Sequence, residues 1–260
     1  MRADQLLVAQ GLAPSRTLAQ RLIAAGRVSA GAQAVRKASE PLDEGTALTV
    51  AAGQEDRYVS RGGLKLAGAL RDGGLDVHGL RCLDVGQSTG GFTDCLLQAG
   101  AASVAGVDVG HGQLHARLRA DARVTALEGV NARAIDASTL GDALPAGGFD
   151  LVAVDVSFIS LTLVLPALAA LTHPSARLVA LVKPQFEVGR AGLDGRGIVR
   201  SEHLYPSVRE TVVDCAIRSG WADPRWFDCA IRGGDGNREF FILARRDPPP
   251  AAANQQRTAS

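Results

Sequence analysis

The chain has 260 residues, 46% of them apolar, and a formal net charge of +1. That length predicts one or two domains with a sizeable core. The composition excludes a highly charged disordered chain and a globally basic nucleic-acid coat, while leaving room for a local nucleic-acid patch.

Residues 1–37 carry six basic side chains (Arg2, Arg16, Arg21, Arg27, Arg36, Lys37) against one acid, Asp4. Residues 38–56 carry five acids and no base, so the near-zero total conceals two opposed blocks. The first block predicts two short helices. One covers Asp4 to Gln10 with Leu6 and Leu7 inward. The other is capped by Ser15 and runs to about Ala25, with Leu18, Leu22 and Ile23 on one face. Val28 and the stretch from Gly45 to Val50 predict short strands. A unit of about 55 residues is small but viable.

From Leu80 onward, apolar runs at 80–86, 103–109, 123–128, 149–155 and 176–183 predict strands. Helices are predicted between them at 90–99, 112–120 and 158–171. Runs buried on both faces and separated by helices indicate a parallel α/β sheet. A long helix is predicted at 203–219, then strands at 225–232 and 238–245 joined as a hairpin by Gly233-Gly234-Asp235-Gly236-Asn237. Five parallel strands and the hairpin make a seven-stranded sheet. The tail from Asp247, opening on Pro248-Pro249-Pro250, predicts disorder.

The start, Met1-Arg2-Ala3-Asp4-Gln5, leads into no signal-type apolar core. The most apolar stretch, Leu151 to Leu171, is interrupted by Asp155, Ser157, Ser160, Thr162 and Pro166, too polar for a membrane span. Cys82, Cys95, Cys215 and Cys229 form no C-x-x-C pair and have no histidine at ligand spacing, so neither a metal site nor a disulfide framework is expected. These features predict a soluble cytoplasmic protein.

Three segments carry chemistry. Asp84-Val85-Gly86-Gln87-Ser88-Thr89-Gly90-Gly91-Phe92 ends the first sheet strand, and glycines at a strand-to-helix turn let backbone approach a ligand. The next strand ends at Asp108, where an acid can bind both hydroxyls of a ribose. Together they predict a nucleoside-bearing cofactor. Asp155 ends the fourth strand in Asp155-Val156-Ser157-Phe158, either at the catalytic edge or as a helix cap. Lys183 ends the fifth strand in Leu181-Val182-Lys183-Pro184-Gln185-Phe186-Glu187, on the same edge, beside Asp155. Of the 28 basic residues, 25 are arginine; only Lys37, Lys65 and Lys183 are lysine. In a chain rich in Ala, Gly and Arg, GC-rich coding converts dispensable lysines. A persisting lysine is either a chance survivor or one whose reversible protonation arginine cannot supply. Lys65 and Glu239 are further candidates that pattern alone does not bring to the site.

Tyr58-Val59-Ser60-Arg61-Gly62-Gly63-Leu64-Lys65-Leu66, the glycine loop, Val107-Asp108-Val109-Gly110-His111-Gly112-Gln113-Leu114, the Asp155 and Lys183 segments and Gly236-Asn237-Arg238-Glu239 occur in order over most of residues 1–245. As a set they resemble the TlyA-type family of RNA 2′-O-methyltransferases, also labelled hemolysin A. The resemblance implies an α/β architecture in four parts: a small α+β RNA-binding domain of the ribosomal-protein S-four type over residues 1–57; a linker and first catalytic helix over 58–79; a Rossmann-like, FtsJ-like methyltransferase domain over 80–246; and a tail over 247–260. It implies a catalytic tetrad of Lys65, Asp155, Lys183 and Glu239. It implies S-adenosylmethionine bound by Asp84, Gly86, Ser88, Thr89, Gly90, Gly91, Phe92, Asp108, Val109, Asn131 and Asp155. It implies ribosomal RNA or ribosomal subunits as partner, contacted by Arg2, Arg16, Arg21, Arg27 and Lys37, with cytidine ribose as acceptor.

Departures from the family pattern are Gln87, where a small residue, usually alanine, is expected; Val130 before Asn131, where threonine is common; and Cys229-Ala230, where Ser-Pro is expected. The roles within the tetrad are interchangeable at this level. Lys183 is the first choice to accept the hydroxyl proton, with Asp155 holding it and Glu239 orienting Lys65 or the ribose. Base N-methylation would bring an Asn/Asp-Pro-Pro-aromatic motif, and carbon methylation a cysteine near Asp155; the chain has neither. The glycine- and arginine-bearing loop at 188–201 is either a lid that orders over RNA or a plain mobile loop. The competing classes are a non-catalytic RNA-binding or assembly factor, a membrane-active hemolysin and a nicotinamide oxidoreductase, the last disfavoured by its glycine spacing.

Overall fold

The computed structural model describes residues 1–51, 53 and 57–246. The chain divides into two compact units, Met1–Arg57 and Tyr58–Ser260. The expected disordered tail lies outside the described residues.

In the first unit, Ser15 takes extended geometry and accepts the Leu18 amide at 3.3 Å, starting helix α2 (Arg16–Ala24) after α1 (Ala3–Ala9). The inward face of α2 is Ala19, Leu22 and Ile23, while Leu18 is exposed, so the predicted face turns by one residue. These side chains join Leu6, Leu7, Val28 and Leu48 in one core. Strands β1 (Val28–Ala30), β2 (Gln33–Ala34) and β3 (Leu48–Val50) form an antiparallel sheet ordered β2-β1-β3. Asp4, the single acid of the basic block, is fully buried. It pairs with Arg2 at 3.0 Å and Arg16 at 3.1 Å and accepts from Gln20 at 2.9 Å. The Arg2 hydrogen bond, above all, holds its carboxyl well below the usual carboxylate range.

The second unit opens with α3 (Arg61–Gly73). Then follow β4 (Arg81–Val85), α4 (Gly91–Gln98), β5 (Ser103–Asp108), α5 (Ala116–Arg119), β6 (Val124–Glu128), α6 (Ala137–Leu140), β7 (Phe149–Val154), α7 (Leu165–Leu168), β8 (Thr172–Val182), α8 (Tyr205–Arg218), β9 (Trp221–Asp228) and β10 (Phe240–Arg246). The seven strands are ordered β6-β5-β4-β7-β8-β10-β9, with only β10 running against the rest. Strand residues alternate between two cores. Leu83, Val152, Val154 and Leu178 face α8 and the segment before β8. Cys82, Leu151, Val179 and Leu181 face α3 and α4.

Three predicted elements are corrected. The 112–120 helix shrinks to α5, because Gly112 at φ +67° turns the chain and His115 then caps it. The 158–171 helix is broken: Phe158 has φ +64°, and only Leu165–Leu168 is α-helical between two 3-10 turns. The hairpin strand predicted at 225–232 is β9, four residues earlier. Trp221 is fully buried and anchors its start, and Pro224 is tolerated because β9 is a sheet edge. The β9–β10 connection is therefore eleven residues, 229–239, rather than a tight turn.

Candidate active site

The glycine loop leaves β4 at the sheet's carboxyl edge. The amides of Gly86 and Gln87 both donate to the Val107 carbonyl, at 2.9 and 3.1 Å, and the Ser88 amide donates to Asp108 Oδ2 at 2.7 Å. Gly86 adopts φ +90°, and a Cβ there would stand 2.8 Å from the Asp155 carbonyl carbon. Beyond the loop lies a cavity of about 560 Å³, lined by Gly86, Ser88, Asp108, Val109, Gln113, Val130, Asn131, Asp155, Phe158 and Ile159 among others. A carboxylate at the second strand end, a glycine cradle that a side chain would fill and apolar walls suit a nucleoside-bearing ligand.

Asp84 lies elsewhere. It is fully buried beneath the loop and does not line this cavity. Its Oδ2 accepts from Thr93 Oγ1 at 2.6 Å, and Thr93 Oγ1 accepts from Gln87 Nε2 at 2.9 Å. Asp84 Oδ1 has no hydrogen-bond partner. Burial, the largest cause, pushes this carboxyl up to about 7. Between the ordinary carboxylate value and about 7 the folded state binds the extra proton. The stability this gives is complete at the acid end and is lost as pH rises through about 7. Asp84→Asn is expected to flatten that slope, worth on the order of 3 kcal/mol. Melting temperatures of both proteins from pH 4.5 to 8 check this; parallel curves would contradict it.

The second cavity, about 270 Å³, adjoins the first and shares Gly86, Ser88, Asp155 and Ser157 with it. Lys65, Lys183, Arg61, Gln87, Thr89, Gly91 and Phe92 also line it. The candidate tetrad resolves into two ion pairs. Lys183 Nζ stands 2.6 Å from Asp155 Oδ1 and donates to Ser157 Oγ at 2.8 Å. Lys65 Nζ stands 2.6 Å from Glu239 Oε2, with only 9% and 2% of the two side chains exposed. Glu239 thus backs Lys65 rather than facing the cavity. The first pair follows from β7 and β8 being parallel neighbours. The second depends on close packing of α3 on α4: a Cβ on Gly63 would stand 2.8 Å from the Gly91 carbonyl.

Several site residues escaped the sequence reading. Ser157 holds Lys183, although it reads equally well as a helix cap. Phe158 is 92% exposed at the rim of the larger cavity, its ring centroid 5.2 Å from that of Phe186. An aromatic in a strand-end loop of a chain with 4% aromatics was the available signal. Asn237 is buried, accepting from the Val199 amide at 3.0 Å and donating to the Gly197 carbonyl at 3.0 Å. It therefore ties the arginine-bearing loop to the turn before Glu239. Gly90 caps α4 at φ +93° and lines neither of the two cavities. Of the basic block, Arg2 and Arg16 are engaged by Asp4 and Arg27 donates to the Ala51 carbonyl. The side chains of Arg21 and Lys37 remain exposed.

Among the described residues no His/Cys/Asp/Glu group could hold a metal ion, and no helix is long and apolar enough to cross a membrane.

Residues 58–246 match the FtsJ-like methyltransferase family, and residues 1–48 match the S4 domain. The 16S/23S rRNA (cytidine-2′-O)-methyltransferase TlyA of Mycobacterium tuberculosis is 43% identical over 94% of this chain and 89% of its own length. Hemolysin A of Brachyspira hyodysenteriae is 36% identical over 93% of this chain and 98% of its own. A solved structure of a Streptococcus thermophilus protein carrying the hemolysin name superposes with a TM-score of 0.73 at 42% identity, covering 96% of this chain and 90% of that one.

Proposed function

The chain belongs to the FtsJ-like methyltransferase family, with an amino-terminal S4 domain, and on that premise we propose that it transfers a methyl group from S-adenosylmethionine to the ribose 2′-hydroxyl of a cytidine in ribosomal RNA. The observation that carries this reading is the convergence of the Lys183–Asp155 and Lys65–Glu239 pairs on a small cavity that adjoins a nucleoside-sized one.

The larger cavity takes the cofactor. Asp108 would receive the ribose hydroxyls, and Val109, Val130, Asn131 and the Gly86 and Ser88 backbone would form the rest of the cradle. When bound, S-adenosylmethionine supplies an electrophilic methyl on a sulfonium, so the leaving group needs no acid. The work left to the chain is to orient the acceptor and remove its proton.

The acceptor ribose enters the smaller cavity. Lys183 Nζ is ion-paired with Asp155 and hydrogen-bonded to Ser157 Oγ, which leaves the nitrogen a further position to face the acceptor oxygen. For this step Lys183 would first release its own proton to solvent. Its amine would then take the hydroxyl proton as the acceptor oxygen gains the methyl group that bound S-adenosylmethionine would supply, and Asp155 would hold the resulting ammonium. Glu239 fixes Lys65 so that its ammonium stabilises the oxygen as charge develops. Two lysines and two carboxylates keep the cavity near neutral, and Arg61, with no ion pair among the described residues, adds the cation that a flanking phosphate would meet. Phe158 offers the acceptor base a stacking face. The basic side chains of the first unit, Arg2, Arg16, Arg21, Arg27 and Lys37, contact RNA phosphates and position the substrate. An acceptor in ribosomal subunits places the activity in the cytoplasm.

The test is transfer itself. Ribosomal subunits lacking the modification, incubated with the protein and methyl-labelled S-adenosylmethionine, are expected to take label into their RNA. Intact cofactor binding with no label in either subunit would refute the assignment.

A further inference from the structure

Gln87 and Gly106 occupy one buried space between the glycine loop and β5. We infer that Gln87 is a positioning residue for the cofactor loop and that it can act only because position 106 has no side chain. The inference rests on the reading of the larger cavity as the S-adenosylmethionine site.

Gly106 is buried in the middle of β5, paired with Asp84 of β4 on one side and Ala126 of β6 on the other. A glycine there weakens a strand unless something needs the space. The Gln87 carboxamide needs it: a Cβ on Gly106 would overlap the amide nitrogen, carbon and oxygen of Gln87. Gln87 is itself only 5% exposed. Its Nε2 donates to Thr93 Oγ1 at 2.9 Å, and Thr93 donates to Asp84 at 2.6 Å. One side chain therefore joins the middle of the loop to the first turn of α4 and the end of β4.

The next residue is where this matters. Ser88 is held at φ +47°, and its amide donates to Asp108 Oδ2 at 2.7 Å. Asp108 is the carboxylate proposed to receive the cofactor ribose. If the Gln87 anchor is removed, the Ser88–Asp108 register loses its support from below. A small residue at 87 beside a methyl-bearing residue at 106 would fill the same space by packing. Gln87 with Gly106 fills it with an amide instead, so the two positions are exchangeable together and not singly.

Calorimetric titration with S-adenosylmethionine on Gln87→Ala, Gly106→Ala and the double variant tests this coupling. Each single variant is expected to bind about tenfold more weakly, and the double variant within about threefold of wild type. Gln87 also lines the smaller cavity, but its carboxamide is turned beneath the loop toward Thr93 and Gly106. The KM for the cofactor should therefore rise well beyond any change in that for RNA, a split that a general loss of folding would not give. Unchanged affinity in Gln87→Ala, or single effects that multiply in the double variant, would overturn the inference. If Gly106→Ala does not fold, Gln87→Ala and the double variant still decide it. Absence of binding by the wild-type protein would instead overturn the cofactor reading, and this inference with it.

Discussion

Lys183→Arg is expected to lower methyl transfer by about a thousandfold while leaving S-adenosylmethionine affinity within a few-fold of wild type. The substitution keeps the charge, so a purely electrostatic role would survive it. It removes the capacity to give up a proton, because a guanidinium stays protonated at any pH the protein tolerates. It also replaces a point donor with a planar fork in a cavity of about 270 Å³. Lys183 lines that cavity and not the larger one, which is why binding and transfer should separate. Single-turnover transfer, with titration of cofactor binding in parallel, measures both. A variant with transfer near wild type would remove Lys183 as the proton acceptor.

Gly86→Ala is expected to abolish measurable cofactor binding and to lower stability by about 2–4 kcal/mol. The position is demanding on two counts. Its φ of +90° is a conformation that side chains resist, and the Cβ would be driven into the backbone of Asp155. The neighbour cannot yield cheaply, because the Asp155 amide is itself bonded to the Val85 carbonyl at 2.8 Å. Relief would separate β4 from the end of β7 and move Asp155, which lines both cavities. Thermal melts and cofactor titration check the two effects. Wild-type affinity in this variant would show that the loop does not hold the cofactor.

The sheet was legible because its central strands are apolar on both faces and run into Gly86, Asp108, Asp155 and Lys183 at their ends. Strand ends on neighbouring parallel strands lie at one edge, so Asp155 beside Lys183 could be read without coordinates. Lys65 with Glu239 could not. They are 174 residues apart, and their meeting depends on β10 inserting between β8 and β9 and on the glycine contact of α3 with α4, neither of which is a local pattern. Phe158 misled because helix periodicity continues through it, while its backbone turns to φ +64° and ends the pattern there. Asn237 reads as a turn residue in Gly236-Asn237, and only its burial reveals the two backbone groups it holds. Gln87 read as a departure from the family pattern; Gly106, which accommodates it, carried no separate signal.

The most direct measurement is to map the transferred methyl group. Ribosomal RNA labelled by the protein would be hydrolysed in alkali, which needs a free 2′-hydroxyl to cleave, and the resistant fragments identified. The account predicts label in an alkali-resistant dinucleotide whose blocked residue is cytidine, absent when Lys183→Ala replaces the wild-type protein. Label on a base, recovered in mononucleotides after complete hydrolysis, would contradict it.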